Sequence, residues 1–168
     1  MKKILLPLAL FISTLSADII GSLGLSYSKG ENSGNYMTGF GQFNALAGIA
    51  LRFEYTKNID EHKSFSKENI SRYGFFAVYP ITILPYIDIS PKAGFVKTDG
   101  DWTVLEGLKK FTSSKSKFSF GLDIDYYIND QFSAFIGYTD YGKKLDVKNI
   151  KSEDLDRSNY MIGIKFHI

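Results

Sequence analysis

The chain has 168 residues, a formal net charge of +2 and no cysteine, and aromatic residues make up 15% of it. The lack of cysteine excludes a disulfide framework and thiol chemistry, and the balanced charge gives no nucleic-acid signature. Beyond residue 17 no apolar run is long enough to span a bilayer as a helix, so a helical membrane protein is excluded.

Residues 1–17 have the order of a secretory signal peptide. Two lysines follow the initial methionine, residues 4–12 are apolar, and the segment ends on the small residue Ala17. The apolar stretch is shorter than the roughly 18–20 residues that a membrane-spanning helix requires. We therefore expect cleavage after Ala17, or after Ser16, and a mature domain over 18–168.

The rest of the chain alternates apolar with polar or small residues, which is the period of β-strands. Pro91 lies within one such segment and predicts a local gap in strand pairing, because proline has no ladder donor. The eight predicted strands cover residues 18–28, 36–43, 45–56, 72–81, 86–97, 117–127, 131–141 and 158–168.

The connections between these strands alternate in length. Short turns are expected near Asn44, near Leu84 and near Asn129, and the long polar connections are 29–35, 57–71, 98–116 and 142–157. This asymmetry is typical of outer-membrane barrels, which have short turns on one side and longer loops on the other. The sequence therefore predicts an all-β fold, an eight-stranded antiparallel up-and-down transmembrane β-barrel. A soluble periplasmic β-sandwich or a lipocalin-like binder is the alternative.

One face of the predicted strands carries charged residues that a barrel would direct into its lumen. A buried charge must be paired, because an isolated one costs several kcal/mol. We favour a salt-bridge network that plugs the barrel over a narrow charge-lined ion path, because eight strands leave an interior that side chains just fill. The predicted lumen charges are Arg52, Glu54, Asp88, Lys92, Asp123, Asp125 and Lys165.

Short stretches of the sequence resemble small eight-stranded outer-membrane β-barrel proteins. These are residues 24–28 (GLSYS), 132–142 (FSAFIGYTDYG) and 160–168 (YMIGIKFHI). The resemblance is to the porin-like group that shares its fold with the OmpA transmembrane domain and OmpX, and it implies a location in the cell outer membrane. Functions within this group differ, so no activity follows from the fold.

The resemblance also implies partners. In this group the barrel assembly machinery reads an alternating terminal strand that usually ends in Phe, whereas this chain ends in Ile. Periplasmic chaperones, outer-membrane lipid and lipopolysaccharide are the other expected partners, and the loops are expected to meet an extracellular partner. The expected assembly-signal strand comprises Tyr160, Ile162, Ile164, Phe166 and Ile168; the first four fit the pattern, and Ile168 replaces the terminal aromatic residue.

Only two histidines are present. His62 lies in a predicted loop near Ser64 and acidic residues, and a His–Ser–acid set can activate a serine nucleophile. A lipid A-modifying barrel enzyme is therefore a second alternative, although we favour a solvated loop. His167, near the last strand's end, is expected to be structural. No catalytic residue, cofactor or metal site is predicted.

The third long loop contains Trp102, which we expect to pack at the barrel rim in preference to binding a partner. Residues 104–111 are expected to form a short amphipathic helix beside it. Because loops on a rigid scaffold carry most recognition, the sequence predicts a non-enzymatic barrel that displays four external loops, with a structural or surface-interaction role.

Overall fold

The computed structural model describes residues 21–30, 34–45, 48–59, 65–104, 110–142 and 158–168. The expected signal peptide lies outside these residues. No helix among them is long and apolar enough to cross a membrane. The strands are β1 Gly21–Gly30, β2 Asn35–Asn44, β3 Ala50–Asn58, β4 Phe65–Val78, β5 Ile81–Leu84, β6 Ile87–Val104, β7 Lys110–Tyr127, β8 Phe132–Asp140 and β9 Ser158–His167.

These strands form a closed barrel. Pairing is antiparallel around the whole sheet, and the first strand, β1, pairs with the last, β9. The pairing of β4 with β6 closes the sheet. β4 and β5 are two parts of one barrel strand, because β6 pairs with β4 as far as Lys92 and with β5 from Ile89. The prediction of an eight-stranded antiparallel up-and-down barrel is confirmed.

The break between β4 and β5 lies beside two prolines, Pro80 and Pro91. The Tyr79 nitrogen donates to the carbonyl oxygen of Pro91 at 3.0 Å, but the Pro91 nitrogen has no hydrogen with which to return the bond. On the other side of β6, Pro91 pairs with Leu122 and the register does not shift. The gap that Pro91 predicts therefore occurs on one side of β6.

The two faces of the barrel differ sharply in polarity. Outward side chains such as Leu25, Phe95 and Ile162 are 58%, 63% and 61% exposed, whereas inward ones such as Arg52 and Ser119 are buried. An apolar outer wall of this extent is what a barrel needs to sit in a bilayer. The alternation that the sequence shows is thus the alternation between lipid-facing and lumen-facing positions.

Tight turns join β2 to β3, β5 to β6 and β7 to β8 at one end of the barrel, called here the turn end. In the first turn the Ala45 nitrogen donates to the Ile49 oxygen at 2.7 Å. β3 therefore begins five residues later than predicted, at Ala50. In the third turn the Asn129 side chain accepts bonds of 2.9 Å from two backbone nitrogens. The opposite end is called the loop end.

Three of the predicted long loops are strands over part of their length, the loop 29–35 only at its two ends. The expected loop 57–71 contains the start of β4 at Phe65, and the expected loop 98–116 contains the end of β6 and the start of β7. The prediction was wrong because polar residues were taken as loop. Above the apolar wall most described residues of these strands are exposed or half-buried, although Ile70 is buried, and backbone pairing continues there without a continuous apolar face.

β4, β6 and β7 thus continue beyond the barrel as a three-stranded sheet, called here the outer extension (residues 65–70, 97–104 and 110–117). β3 leaves β4 at Ser71, and β8 leaves β7 at Phe120. Beyond these points the three strands pair only with one another among the described residues.

A helix is expected over 104–111, of which the structure describes only residues 104, 110 and 111, and these three are not helical. Val104 belongs to β6, and Lys110 and Phe111 begin β7. Trp102 likewise lies in a strand, and its backbone pairs with that of Phe111. The prediction failed because the residues on either side of the connection pair with one another and continue the β6 and β7 ladders.

An arginine at the middle of the outer wall should destabilise the barrel. Ile162 lies at mid-strand in β9 between Tyr27 and Ile136, and we expect Ile162→Arg to cost about 2–4 kcal/mol, because a cation there lies near the bilayer midplane. Urea titration of the protein refolded in lipid vesicles measures this cost. The matched control is Ile83→Arg at the turn end, where Ile83 is 54% exposed and about 0–1 kcal/mol is expected. Equal costs for the two variants would contradict the assignment of the wall.

Candidate functional site

The barrel lumen holds a cluster of ion pairs centred on Arg52. Arg52 is fully buried, and its Nη1 donates to Asp123 Oδ2 at 2.5 Å and to Glu54 Oε1 at 3.3 Å. Its Nε and Nη2 both donate to Gln42 Oε1, at 2.9 and 2.7 Å. Arg52 and Glu54 share the inward face of β3 because they are two residues apart. The guanidinium is therefore paired on each of its edges.

Lys92 joins the same cluster from β6. Its Nζ lies 2.9 Å from Glu54 Oε1 and 3.4 Å from Asp123 Oδ1. The nitrogen also lies 5.3 Å from the centre of the Phe76 ring, within the range of a cation–π contact. Glu54 and Asp123 thus each contact both Arg52 and Lys92, which connects β3, β6 and β7 through the lumen.

Lys165 completes the cluster from β9. Its Nζ lies 2.5 Å from Asp125 Oδ1 and 3.8 Å from Asp123 Oδ2. Asp123 therefore faces three cations, one from each of β3, β6 and β9. The central cluster is defined here as Arg52, Glu54, Lys92, Asp123, Asp125 and Lys165. Its formal charges cancel, which is the condition for burying ions in a low-dielectric interior.

Aromatic rings fill the space around these charges. Phe40 and Phe135 meet edge to face with their centres 5.6 Å apart. The Arg52 guanidinium carbon lies 4.4 Å from the centre of the Phe40 ring, and the Lys165 nitrogen lies 4.8 Å from that of Phe135. The central cluster is thus packed between rings that leave its ions little access to water.

A second set of contacts lies toward the turn end. The Tyr127 hydroxyl donates to Asp88 Oδ2 at 2.8 Å, and the Tyr127 ring stacks on His167 with centres 5.0 Å apart. His167 Nε2 lies 2.9 Å from the hydroxyl oxygen of Ser133. This turn-end layer consists of Asp88, Tyr127, Ser133 and His167. Asp88, predicted as a lumen charge, therefore faces the lumen outside the central cluster.

A third set closes the loop end. The Arg72 guanidinium carbon lies 4.6 Å from the Tyr36 ring centre and 4.4 Å from the Tyr141 ring centre, between the two rings. Its Nη1 is within 3.4 Å of the side-chain amide of Asn159. This loop-end layer was missed by the sequence analysis, because Arg72 and Tyr141 fell at the ends of predicted strands. Their inward positions in the alternating pattern were the available signal.

The structure brings six of the seven predicted lumen charges together. The residues of the predicted assembly strand lie on the outer wall of β9 or directly after it, and the Ile168 nitrogen donates to the Gly21 oxygen at 2.9 Å. His62 and Ser64, the basis of the lipid A enzyme alternative, lie outside the described residues. Among the residues that are described, no group of three or more histidine, aspartate or glutamate side chains is arranged to hold a metal.

A closed eight-stranded barrel with an apolar wall and a polar lumen filled by side chains is the architecture of small outer-membrane β-barrel proteins. Solved structures with this fold match most of the chain. The N-terminal β-barrel domain of Pseudomonas aeruginosa OprF aligns with a TM-score of 0.65 at 14% identity, over 89% of this chain and 97% of that one.

Two further structures show the same likeness. Neisserial surface protein A aligns with a TM-score of 0.56 at 14% identity, covering 88% of this chain and 94% of its own. Ail, the attachment invasion locus protein of Yersinia pestis, aligns with a TM-score of 0.55 at 12% identity, covering 89% and 97%. At these identities the likeness shows the fold alone. No protein-family model and no curated protein matches the sequence.

Removing the shared carboxylate should destabilise the barrel strongly. Asp123→Asn leaves three buried cations with one negative partner fewer, and we expect a loss of about 3–5 kcal/mol. Urea titration in lipid vesicles measures it. Asp99→Asn is the matched control, because Asp99 pairs with Lys97 at 3.3 Å on the surface and such pairs contribute about 1 kcal/mol or less. A loss at Asp123 as small as that at Asp99 would show that the central cluster is not a linked network.

Proposed function

We propose that this chain is a non-enzymatic protein of the bacterial outer membrane that holds its outer extension and four external loops at the cell surface, in a structural or surface-interaction role. The observation that carries the proposal is the filled lumen. Three layers of paired side chains occupy it from the turn end to the loop end, and Arg52 and Asp123 at its centre are fully buried. Because the lumen is filled, the surface available for recognition is the outer extension and the loops, which lie above the apolar wall.

An outer-membrane location is supported by the apolar wall and by the solved structures that share the fold. It requires export, so we propose that residues 1–17 act as a signal peptide. It also requires assembly, for which the alternating β9 strand is the expected signal. Lipopolysaccharide and other outer-membrane lipid, periplasmic chaperones and the barrel assembly machinery are the partners that this location implies.

A role in surface interaction is supported by the outer extension. Its strands carry exposed polar and charged side chains, among them Lys97, Asp99 and Ser116. Backbone pairing with β6 holds β4 and β7 in place, so the sheet is an ordered platform. Of the proteins with the same fold, one is named an attachment invasion locus protein and another a surface protein. One structure of the former, Ail, is a complex with the heparin analogue sucrose octasulfate. An extracellular partner for the loops of this chain is part of the proposal.

Surface display can be tested by cysteine labelling, because the natural chain has no cysteine. Ser116→Cys in the outer extension should react with a membrane-impermeant maleimide in intact cells. Asp130→Cys, in the exposed turn between β7 and β8, is the matched control and should react only after the outer membrane is permeabilised. The labelled protein should be found in the outer-membrane fraction and should migrate differently on a denaturing gel when it is not heated. A soluble periplasmic pool, or equal labelling of both variants in intact cells, would contradict the proposal.

A narrow ion channel is the second candidate, because both signs of charge line one lumen. The mutual pairing of Lys92, Glu54 and Asp123 favours a plug. In planar bilayers we therefore expect no discrete conductance from the natural protein. The measurement is the current at fixed voltage, with a known porin as positive control. Discrete steps that change with Asp123→Asn or Lys92→Gln would assign the channel function instead.

A further inference from the structure

A shallow apolar groove lies over the middle of β2 on the outer wall, bounded along the strand by Met37 and Phe43. Its floor is the β2 backbone, because Gly39 and Gly41 occupy two successive outward positions there. Gly39 pairs with a residue of β1 and one of β3, and so does Gly41. The side chains that form the walls are Leu23 and Leu25 on β1 and Phe53 and Tyr55 on β3, and each is at least 36% exposed.

Packing within the protein does not require these two glycines. A β-carbon added to Gly39 would meet no heavy atom nearer than Leu25 Cδ2 at 3.5 Å, and one added to Gly41 would meet Leu23 Cδ2 at 3.6 Å, both ordinary contacts. Neither glycine has the positive φ that favours glycine. By contrast, a β-carbon on the inward Gly24 would overlap the Phe40 ring. The groove is therefore open space on the lipid-facing side that larger residues could fill.

Two lysines flank the loop end of the groove. Lys29 occupies the next outward position after Tyr27 on β1, and Lys57 occupies the next outward position after Tyr55 on β3. Both lysines are exposed. They lie on either side of β2, where Lys29 pairs with Asn35 and Lys57 with Met37. Two strand spacings and this two-residue offset put their backbones about 12 Å apart, so that two long flexible stems can reach one group between them. The Tyr27 hydroxyl donates to Asn35 Oδ1 at 2.6 Å and borders the same region.

The strand-paired neighbours of these lysines carry no carboxylate. Lys29 pairs with residues of β2 and β9, and Lys57 with residues of β2 and β4; these neighbours are Asn35, Tyr160, Met37 and Ser71. Lys97, on the same rim, differs because it lies 3.3 Å from Asp99. At the other end of the barrel the turn segments 44–49, 84–86 and 128–131 contain no lysine or arginine. The groove thus has a cationic head at its loop end only.

We propose that this groove binds one phosphorylated lipid of the outer leaflet, of the lipopolysaccharide type, with its phosphates between Lys29 and Lys57 and an acyl chain along Gly39 and Gly41. The inference rests on the proposed outer-membrane location. Charge complementarity selects this occupant, because lysines near a membrane surface attract anionic headgroups. A second copy of the chain seated on the groove by a two-fold axis would bring the same lysines together and repel.

Native mass spectrometry of the refolded barrel in detergent micelles can test this, with bis-phosphorylated lipid A as the probe. Lys29→Gln and Lys57→Gln should each weaken binding roughly fivefold, and the double variant about 30-fold. Gly39→Val fills the groove and should weaken binding roughly threefold to tenfold through lost chain contact. Lys97→Gln is the matched control and should leave the affinity unchanged.

Three results would overturn the proposal. Equal affinity of the Lys29→Gln/Lys57→Gln double variant and the natural protein would remove the headgroup contact. Equal binding of dephosphorylated lipid A would show that the acyl chains bind without the phosphates. Effective competition by soluble glucosamine phosphate would assign the lysines to a free anion. None of these results bears on the proposed surface role, because that role is tested by labelling in cells. If the labelling experiment failed instead, lipid binding in micelles would be unaffected.

Discussion

The contact of Asp123 with three cations is the interaction on which the lumen depends. Asp123 lies on β7, and its cations come from β3, β6 and β9, so one carboxylate ties four of the eight barrel strands together across the interior. A slip of any of these strands by one residue would move its charge from the lumen to the apolar wall. The cost of a cation or carboxylate at that surface therefore disfavours a one-residue slip of any of the four strands.

We expect this network to contribute more to the choice of register than to stability. Ions buried in pairs recover their desolvation cost only when the geometry satisfies them, and an apolar replacement is often as stable. The closed ladder already satisfies the backbone, and a barrel in lipid requires that satisfaction before anything else. The layers above and below the central cluster follow the same logic. Arg72 is held between Tyr36 and Tyr141, and Tyr127 between Asp88 and His167.

The sequence was sufficient to predict which residues face the lumen, because lipid on one side and a narrow interior on the other impose a strict period of two. Arg52, Asp123 and Lys165 were found in this way. Their partners could not be predicted, since alternation gives the face of a residue and not its height after the strands are staggered around the barrel. The outer extension was missed for a related reason: above the lipid its strands are mostly polar, and the alternation that identifies a strand is lost.

The extension and the proposed lipid groove occupy different sectors of the rim, and this division follows from strand length. β4, β6 and β7 rise above the wall, and their outward lysine at the rim, Lys97, is paired with Asp99. β1 and β3 stop near the rim, at Gly30 and Asn58, directly after exposed lysines. Under the two proposals, a headgroup beside the short strands would meet cations that no strand-paired carboxylate neutralises, whereas a soluble partner would meet the extension first. The proposals thus assign the lipid to one sector of the rim and the soluble partner to the other.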